Sequence, residues 1–280
     1  VPVITPNTFK YFVFIIILFI FIFVIIVRKM NSKLPITEKP YPSEIKIDDL
    51  SVDDSINLMI EDQGQALIAI KKSKKHIMNV INSIVTRLNK YIQGRLIYCG
   101  AGTSGRIGVQ DAVELIPTFG WNEKRLDFII AGGEKALVKS VEFAEDSVED
   151  AHDIVKKKEI NHKDIVIGLA ASGNTIFTKE VLKISQKNGA LTVGISNNPI
   201  GNILKYSIHK IVLDTKEELV AGSTRLKAGT AQKICLNIIS TIVMTKLGYV
   251  KDGHMINLKP NNQKLKERLS RIKNLRTDDD

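Results

Sequence analysis

The chain has 280 residues and 44% hydrophobic content, which is the composition of a globular protein and is enough for one α/β domain with a substantial core. Its net charge of +10 at pH 7 raises the question of a nucleic-acid partner. Aromatic residues make up only 6% of the chain, and no basic cluster alternates with stacking aromatic side chains, so we expect no nucleic-acid partner.

A run of seventeen apolar residues, 11–27, dominates the N-terminal segment 1–33 and is followed by Arg28 and Lys29. Such a run has the composition of a membrane-spanning helix, and the positive charge after it would place the rest of the chain in the cytoplasm. The alternative is that the protein starts at Met30 and that residues 1–29 are a mis-assigned extension. We favour this alternative, and in both cases we expect a cytoplasmic domain, tied to the membrane only if residues 11–27 are a genuine anchor.

The rest of the chain predicts helices first and an alternation of strands and helices afterwards. Apolar residues recur at helical spacing over 52–61 and 66–92, which predicts two helices after a loop-like lead-in. Strands are predicted at 96–99, 128–131, 165–169, 191–196 and 210–213, and helices at 107–116, 136–143, 176–186 and 234–247. This alternation predicts a parallel sheet with helices on both faces, so the loops that follow the strands should meet at the carboxyl edge of the sheet.

Three segments rich in glycine and hydroxyl residues precede predicted helices. Two of them, 100–106 (GAGTSGR) and 170–175 (AASGNT), directly follow predicted strands, and the third, 222–233, reads GSTRLKAGTAQK. In the third segment Ser223 and Thr224 are typical N-cap residues. The pattern matches neither the dinucleotide-binding fingerprint nor the P-loop.

The chemistry of these segments suits an anion such as phosphate. Small residues let backbone N–H groups approach an anion at a helix N-terminus, hydroxyl groups add neutral donors, and arginine offers a planar bidentate fork. Each segment alone is also consistent with an ordinary capped helix, but three of them together favour a binding site. The predicted binding residues are Gly102, Thr103, Ser104, Arg106, Ser172, Asn174, Thr175, Ser223, Arg225 and Lys227.

Cysteine and histidine give no sign of a metal or redox centre. Cys99 and Cys235 lie in apolar contexts, which predicts two buried thiols and suits a reducing cytoplasm. The five histidines are scattered without ligand spacing. We therefore predict no metal site and no cofactor.

Four long stretches carry a family resemblance, in the family's order and spacing. They read RLIYCGAGTSGRIGVQDAVELIPTFGW, IAGGEKALVKSVEFAEDS, GLAASGNT with VGISNNP, and GSTRLKAGTAQK. On these, residues from about 37 to 265 resemble the N-acetylmuramic acid 6-phosphate etherases, which belong to the sugar isomerase (SIS) fold group. The resemblance implies a three-layer αβα fold and a lyase that cleaves the lactyl ether of N-acetylmuramic acid 6-phosphate with water, in amino-sugar and cell-wall sugar catabolism. It also implies a sugar-phosphate ligand and a homodimer whose active sites share residues.

The resemblance assigns catalysis to two carboxylates, Glu114 and Glu145. On the residue pattern alone, a solvent-facing helix glutamate is the better explanation of each, because the chain has 30 acidic residues. Apolar neighbours of Glu114 in the sequence predict an environment that raises the pKa of its carboxyl and suits it to acid–base work. We expect Glu114 to protonate the departing lactate oxygen and Glu145 to be the candidate partner at C2.

The chain also departs from the family pattern. Pro40 and Tyr41 stand where the family usually has an Arg-Asn pair, His254 replaces an expected asparagine, and the family's C-terminal helical extension is missing. We expect a lead-in with helices at 34–94, a SIS sugar-phosphate-binding domain at 95–260 and a charged tail at 261–280. The alternatives are a non-catalytic sugar-phosphate sensor like the glucokinase regulatory proteins, a transcriptional regulator with a SIS domain, and an aldose–ketose isomerase of the same fold.

Overall fold

The computed structural model describes residues 34–256 and residue 267. The predicted membrane segment 11–27 lies outside these residues, and so does most of the predicted tail 261–280. No helix within the described part of the chain is long and apolar enough to cross a membrane.

A five-stranded parallel sheet forms the centre of the fold, with the strand order β2-β1-β3-β4-β5. The strands are β1 Leu96–Gly100, β2 Leu126–Ile130, β3 Ile165–Ala170, β4 Leu191–Ser196 and β5 His209–Val212. Four of them match the predicted strands to within one residue at each end, and β2 begins two residues early. A two-residue pair, β6 Val250–Lys251 and β7 His254–Met255, follows near the end of the described chain.

Helices cover both faces of this sheet, as predicted. They are α1 Val52–Lys90, α2 Gly102–Phe119, α3 Val148–Lys157, α4 Ile176–Lys187 and α5 Lys227–Lys246. Alternate residues of β1 point into two different cores: Leu96 and Tyr98 pack with α1, α2 and α5, whereas Ile97 and Cys99 pack with α3 and α4. The strand alternation therefore divides the interior into two layers and confirms the three-layer αβα fold.

The predicted break between two N-terminal helices is wrong, because a single helix, α1, runs from Val52 to Lys90. Ser51 caps it by accepting a hydrogen bond from the backbone N–H of Asp54. The polar stretch at 62–65 resembles a turn in the sequence, yet Asp62 is only 5% exposed and forms an ion pair with Lys227. A distant partner thus explains why a polar residue is buried where the apolar periodicity of the sequence is interrupted.

The predicted helix at 136–143 is also wrong. The segment contains a short 3-10 turn, Glu134–Leu137, and a second turn follows at Ala144–Asp146. Phe143 lies between them with a φ of 57°, in the left-handed region that interrupts a helix. The missed helix, α3, starts after Ser147, whose side chain accepts from the N–H of Asp150, so an N-cap signature was present in the sequence.

The helices that follow the neighbouring strands β1 and β3 lie on opposite faces of the sheet. The helix after β1 packs with the α1/α5 core, and the helix after β3 packs with the α3 core. The two loops therefore diverge at the carboxyl edge of the sheet. Ligands of open α/β sheets bind at such a reversal of strand order.

Candidate active site

The first loop leads from β1 directly into α2. The helix begins at Gly102, five residues before the predicted start, so the predicted phosphate residues Gly102, Thr103 and Ser104 form its first turn. Ala101 occupies the N-cap position and has no side chain that could accept from this turn. The glycines allow close packing, because a Cβ on Gly100 would lie 2.8 Å from the backbone nitrogen of Gly105. The helix N-terminus can therefore receive an anion.

The second loop, after β3, is held by hydrogen bonds within the protein. The Ser172 hydroxyl accepts from the N–H of Asn174 at 3.1 Å, and the Asn174 side-chain oxygen accepts from the side chain of Asn202 at 3.0 Å. Gly173 has a φ of 71° and packs so closely on Gly201 that a Cβ would lie 2.4 Å from the Gly201 Cα. Thr175 is the N-cap of α4 but makes no side-chain cap. A second N-terminus thus opens at the carboxyl edge.

Buried side chains connect the three loops. The Asn197 backbone donates to the carbonyl of Ala171 at 3.0 Å, and its side chain reaches the carbonyl of Ala228 at 3.4 Å. Gln232 donates to the Asn197 side-chain oxygen at 3.0 Å. Gly229 packs beside Thr103, since a Cβ there would lie 3.6 Å from the Thr103 methyl carbon. Sequence reasoning missed Asn197, although a polar residue directly after a buried strand was a usable signal.

The N-cap predicted for the third segment is wrong. The helix α5 begins at Lys227, and its first turn is capped by Glu218, whose carboxylate accepts from the N–H groups of Lys227 at 3.3 Å and Ala228 at 2.9 Å. Burial raises the pKa of Glu218, while these backbone donors and the charge of Lys227 oppose the rise. The N-terminus of α5 is thus occupied by a carboxylate of the protein itself, that of Glu218.

The predicted binding residues of the third segment differ in how far they are exposed to solvent. The Lys227 ammonium is 2.5 Å from Asp62 and the side chain is 1% exposed, so its charge is neutralised in the core. The ring of Tyr41 lies 5.2 Å from the same ammonium. Arg225, by contrast, is exposed, and Ser223 is half-buried. The contact of Lys227 with a ligand remains a prediction. In the structure the Lys227 ammonium is paired with Asp62 instead.

Glu145 lies in a cavity of about 470 Å³ together with Gly102 and Arg106. The Arg106 guanidinium donates to the carbonyls of Ala136 at 3.0 Å and Lys139 at 3.2 Å, so it fixes the wall of this cavity. Lys139 also lines the cavity and adds a second cation that the sequence analysis did not single out. The N-terminus of α2, the two cations Arg106 and Lys139, and the three carboxylates Glu142, Glu145 and Asp146 therefore line one cavity.

Glu114 lies elsewhere on the same chain. It is twelve residues beyond Gly102, which corresponds to about 18 Å along α2. It is exposed and lines a smaller cavity of about 200 Å³ with Asp111 and Lys233, so the predicted apolar environment is wrong. The structure does not bring Glu114 and Glu145 of one chain into the same cavity.

A buried carboxylate forms the floor beside Glu114. Asp111 accepts hydrogen bonds from the Tyr98 hydroxyl at 2.9 Å, the Asn237 amide at 2.7 Å and the Ser240 hydroxyl at 3.1 Å. Burial raises the pKa of Asp111, and these three donors together with the charge of Lys233 oppose the rise. This network ties α2 to α5 and thereby sets the backbone that carries Glu114.

Within the described part of the chain, no group of three His, Cys, Asp or Glu side chains is placed to hold a metal ion. Cys99 and Cys235 are free and buried, as predicted, and burial raises the pKa of both thiols. Thiol nucleophiles need the opposite shift.

Comparison with known proteins gives the family. The family model for the glucokinase regulatory protein N-terminal SIS domain matches residues 76–186. Among solved structures, a phosphoheptose isomerase from Francisella tularensis has a TM-score of 0.55 at 15% identity, over 70% of this chain and 100% of that one. A phosphoheptose isomerase from Neisseria gonorrhoeae has a TM-score of 0.51 at 13% identity, with the same coverage. These likenesses confirm the fold.

Curated relatives are much closer in sequence. Proteins named N-acetylmuramic acid 6-phosphate etherase from Bacillus cereus (strain B4264) and Bacillus anthracis (strain CDC 684 / NRRL 3495) are each 42% identical over 236 residues. The match spans 84% of this chain and 80% of each relative. The resemblance found in the four sequence stretches is therefore confirmed, and the chain belongs to the N-acetylmuramic acid 6-phosphate etherase family.

Proposed function

We propose that the protein is a carbon–oxygen lyase that converts N-acetylmuramic acid 6-phosphate and water to N-acetylglucosamine 6-phosphate and D-lactate. The observation that carries this proposal is the 42% identity to relatives of that name over 84% of the chain. Two buried free thiols suit a reducing compartment, and we place the reaction in the cytoplasm.

The 6-phosphate binds, in this proposal, where the first turn of α2 meets the second loop. The N–H groups of Gly102, Thr103 and Ser104 have no capping side chain, and the N-terminus of α4 opens nearby without a side-chain cap. Ser172 and Thr175 add hydroxyl donors at that second terminus. Binding energy from a phosphate remote from the reacting carbons would hold the sugar in position.

The chemistry requires one group at C2 and another at the ether oxygen. In the open-chain sugar the C1 aldehyde acidifies the C2 proton. Glu145, which lines the cavity of about 470 Å³ together with Gly102, removes that proton. The C3–O bond then breaks, and Glu114 protonates the departing lactate oxygen. Water then adds across the C2=C3 double bond: Glu114, now a carboxylate, takes a proton as the water oxygen bonds to C3, and Glu145 returns its proton to C2, which restores both groups.

The separation of the two glutamates supports a homodimer. About 18 Å of α2 lies between Gly102 and Glu114, which is longer than a hexosamine phosphate. A site assembled from the phosphate loops of one chain and Glu114 of a second copy removes this difficulty. Exposed apolar side chains at helical spacing on α1 offer contact surface for that copy: Val52, Ile56, Ile60 and Leu67 are 79%, 51%, 66% and 54% exposed.

A second candidate function is a non-catalytic sugar-phosphate sensor. The match of residues 76–186 to the glucokinase regulatory protein SIS domain favours it, because that match covers the first two loops. Both hypotheses predict binding of a phosphorylated sugar, so binding alone does not separate them. Only the lyase releases lactate.

The test is lactate release from N-acetylmuramic acid 6-phosphate by the purified protein, with N-acetylglucosamine 6-phosphate identified as the other product. Binding without lactate release would favour the sensor, and an isomerised sugar phosphate would indicate an isomerase. Light scattering at micromolar concentration tests the assembly. An active monomer would rule out a site shared between two copies.

A further inference from the structure

The cavity between α2 and α5 holds charged groups that the reaction scheme above does not use. Six residues line it: Ile107, Gln110, Asp111 and Glu114 on α2, and Lys233 and Asn237 on α5. Its volume is about 200 Å³, and it is distinct from the cavity that contains Glu145. Lys233 is the only cationic residue of the six.

The charge of Lys233 is available to a ligand. The side chain is exposed, and within the described part of the chain it has no ion-pair partner closer than 4.0 Å. The Asp111 carboxylate lines the same cavity, but it already accepts three hydrogen bonds, from Tyr98, Asn237 and Ser240. Lys233 therefore lines the same cavity as Glu114 and has N–H donors available for a ligand.

The proposed substrate brings a second anion to this cavity. In lactate the carboxylate is bonded to the carbon that carries the ether oxygen, so a group that protonates this oxygen is next to the carboxylate. If Glu114 is that group, the substrate carboxylate, Glu114 and Asp111 accumulate negative charge in one small space. Such a site needs a cation, because like charges at short range raise the energy of the bound state.

We propose that Lys233 binds the lactyl carboxylate and so makes the enzyme specific for the muramic acid sugar over its lactyl-free product. This inference rests on the proposed function and deepens it. The ammonium forms a charge-assisted hydrogen bond to the carboxylate before and during ether cleavage, and the lactate anion then leaves with the proton given by Glu114. Lys233 takes up no proton in this step.

The experiment compares Lys233→Gln with Lys246→Gln, a control at an exposed lysine on the same helix and outside the cavity. We expect Lys233→Gln to lower kcat/KM for N-acetylmuramic acid 6-phosphate by roughly tenfold to a hundredfold, the usual effect of losing a hydrogen bond to a charged group. The inhibition constant of N-acetylglucosamine 6-phosphate, which has no lactyl group, should not change. Lys233→Arg should recover much of the loss, because it restores the charge.

The outcomes separate this inference from the proposed function. Unchanged kcat/KM in Lys233→Gln, or an equal loss of affinity for the lactyl-free sugar, would overturn the role of Lys233 while leaving the lyase in place. If the wild-type protein released no lactate, the proposed reaction would fail. Calorimetric titration of both sugars into wild-type and Lys233→Gln protein would then still decide whether Lys233 recognises the lactyl carboxylate.

Discussion

The buried ion pair between Lys227 and Asp62 offers the sharpest test of the structure. Their charged atoms are 2.5 Å apart, and the side chains are 1% and 2% exposed. Lys227→Met would leave the Asp62 carboxylate buried without its cation, which typically costs about 3 to 5 kcal/mol. A domain of this size loses roughly 2 to 4 °C in Tm per kcal/mol, so we expect a fall on the order of 10 °C.

A surface pair provides the matched control. Lys216 and Asp214 are 2.6 Å apart, almost the same distance, but the Lys216 side chain is 51% exposed. Because solvent screens such a pair, Lys216→Met should cost at most about 1 kcal/mol. Urea unfolding and calorimetry measure both variants. If Lys227→Met were no more destabilising than Lys216→Met, the reasoning from burial would be refuted.

The double variant Asp62→Leu with Lys227→Met separates structure from ligand binding. Replacing both members of a buried pair by apolar residues is often neutral, so the double variant should recover most of the lost stability. Since the Lys227 ammonium is bonded internally, we expect the recovered protein to keep the wild-type KM. A raised KM in a stable double variant would instead support the contact with substrate that the sequence predicts for Lys227.

Four further predictions follow from the site. Glu114→Gln should keep the fold but lower lactate release by at least about a hundredfold, and near-normal turnover would remove Glu114 from the mechanism. Ser104→Ala combined with Ser172→Ala should weaken binding of the 6-phosphorylated sugar in titrations by about 1 to 3 kcal/mol per lost hydrogen bond, whereas equal affinity for phosphorylated and unphosphorylated sugar would contradict the phosphate assignment. Phe143→Gly should raise stability by about 1 kcal/mol, because the ring is 82% exposed and the backbone φ of 57° favours glycine; an unchanged Tm would mean no strain. Burial raises the pKa of Asp111, so the folded protein binds that proton more tightly than the unfolded chain does. Stability should therefore fall as pH rises from the unfolded pKa of about 4 to the folded pKa, and Asp111→Asn should flatten this decline in a urea-unfolding series run from about pH 4 upward.

Local patterns predicted the sheet and its loops well. A buried strand such as β3 is a short apolar run closed by small residues, and both features are visible within ten residues of sequence. The positions of Gly102 and Ser172 at the carboxyl edge then follow from the parallel arrangement alone. These parts of the fold depend on neighbours in the chain, so the sequence was sufficient for them.

The failures share a different cause. Asp62 falls between the two predicted helices, because its partner, Lys227, is 165 positions away in the chain and leaves no local signal. Ser223 and Thr224 have the right chemistry for an N-cap, but the carboxylate of Glu218 reaches the helix from outside the motif. The separation of Glu114 from Glu145 likewise depends on the direction of α2 in space. Each of these facts concerns residues brought together by tertiary packing, which a linear pattern does not contain.

Three helix N-termini arise from the three segments that the sequence predicts to bind an anion, and they differ in how their first turns are capped. At α5 the protein fills the position with Glu218, whose carboxylate satisfies the first turn. At α2 and α4 no side chain caps the first turn, although an unsatisfied N–H costs free energy when it is shielded from water. A ligand anion at those two termini would recover this cost. We therefore propose that the uncapped pair is the phosphate end of the site and that Lys233, which lines the same cavity as Glu114, serves the carboxylate end from the second copy.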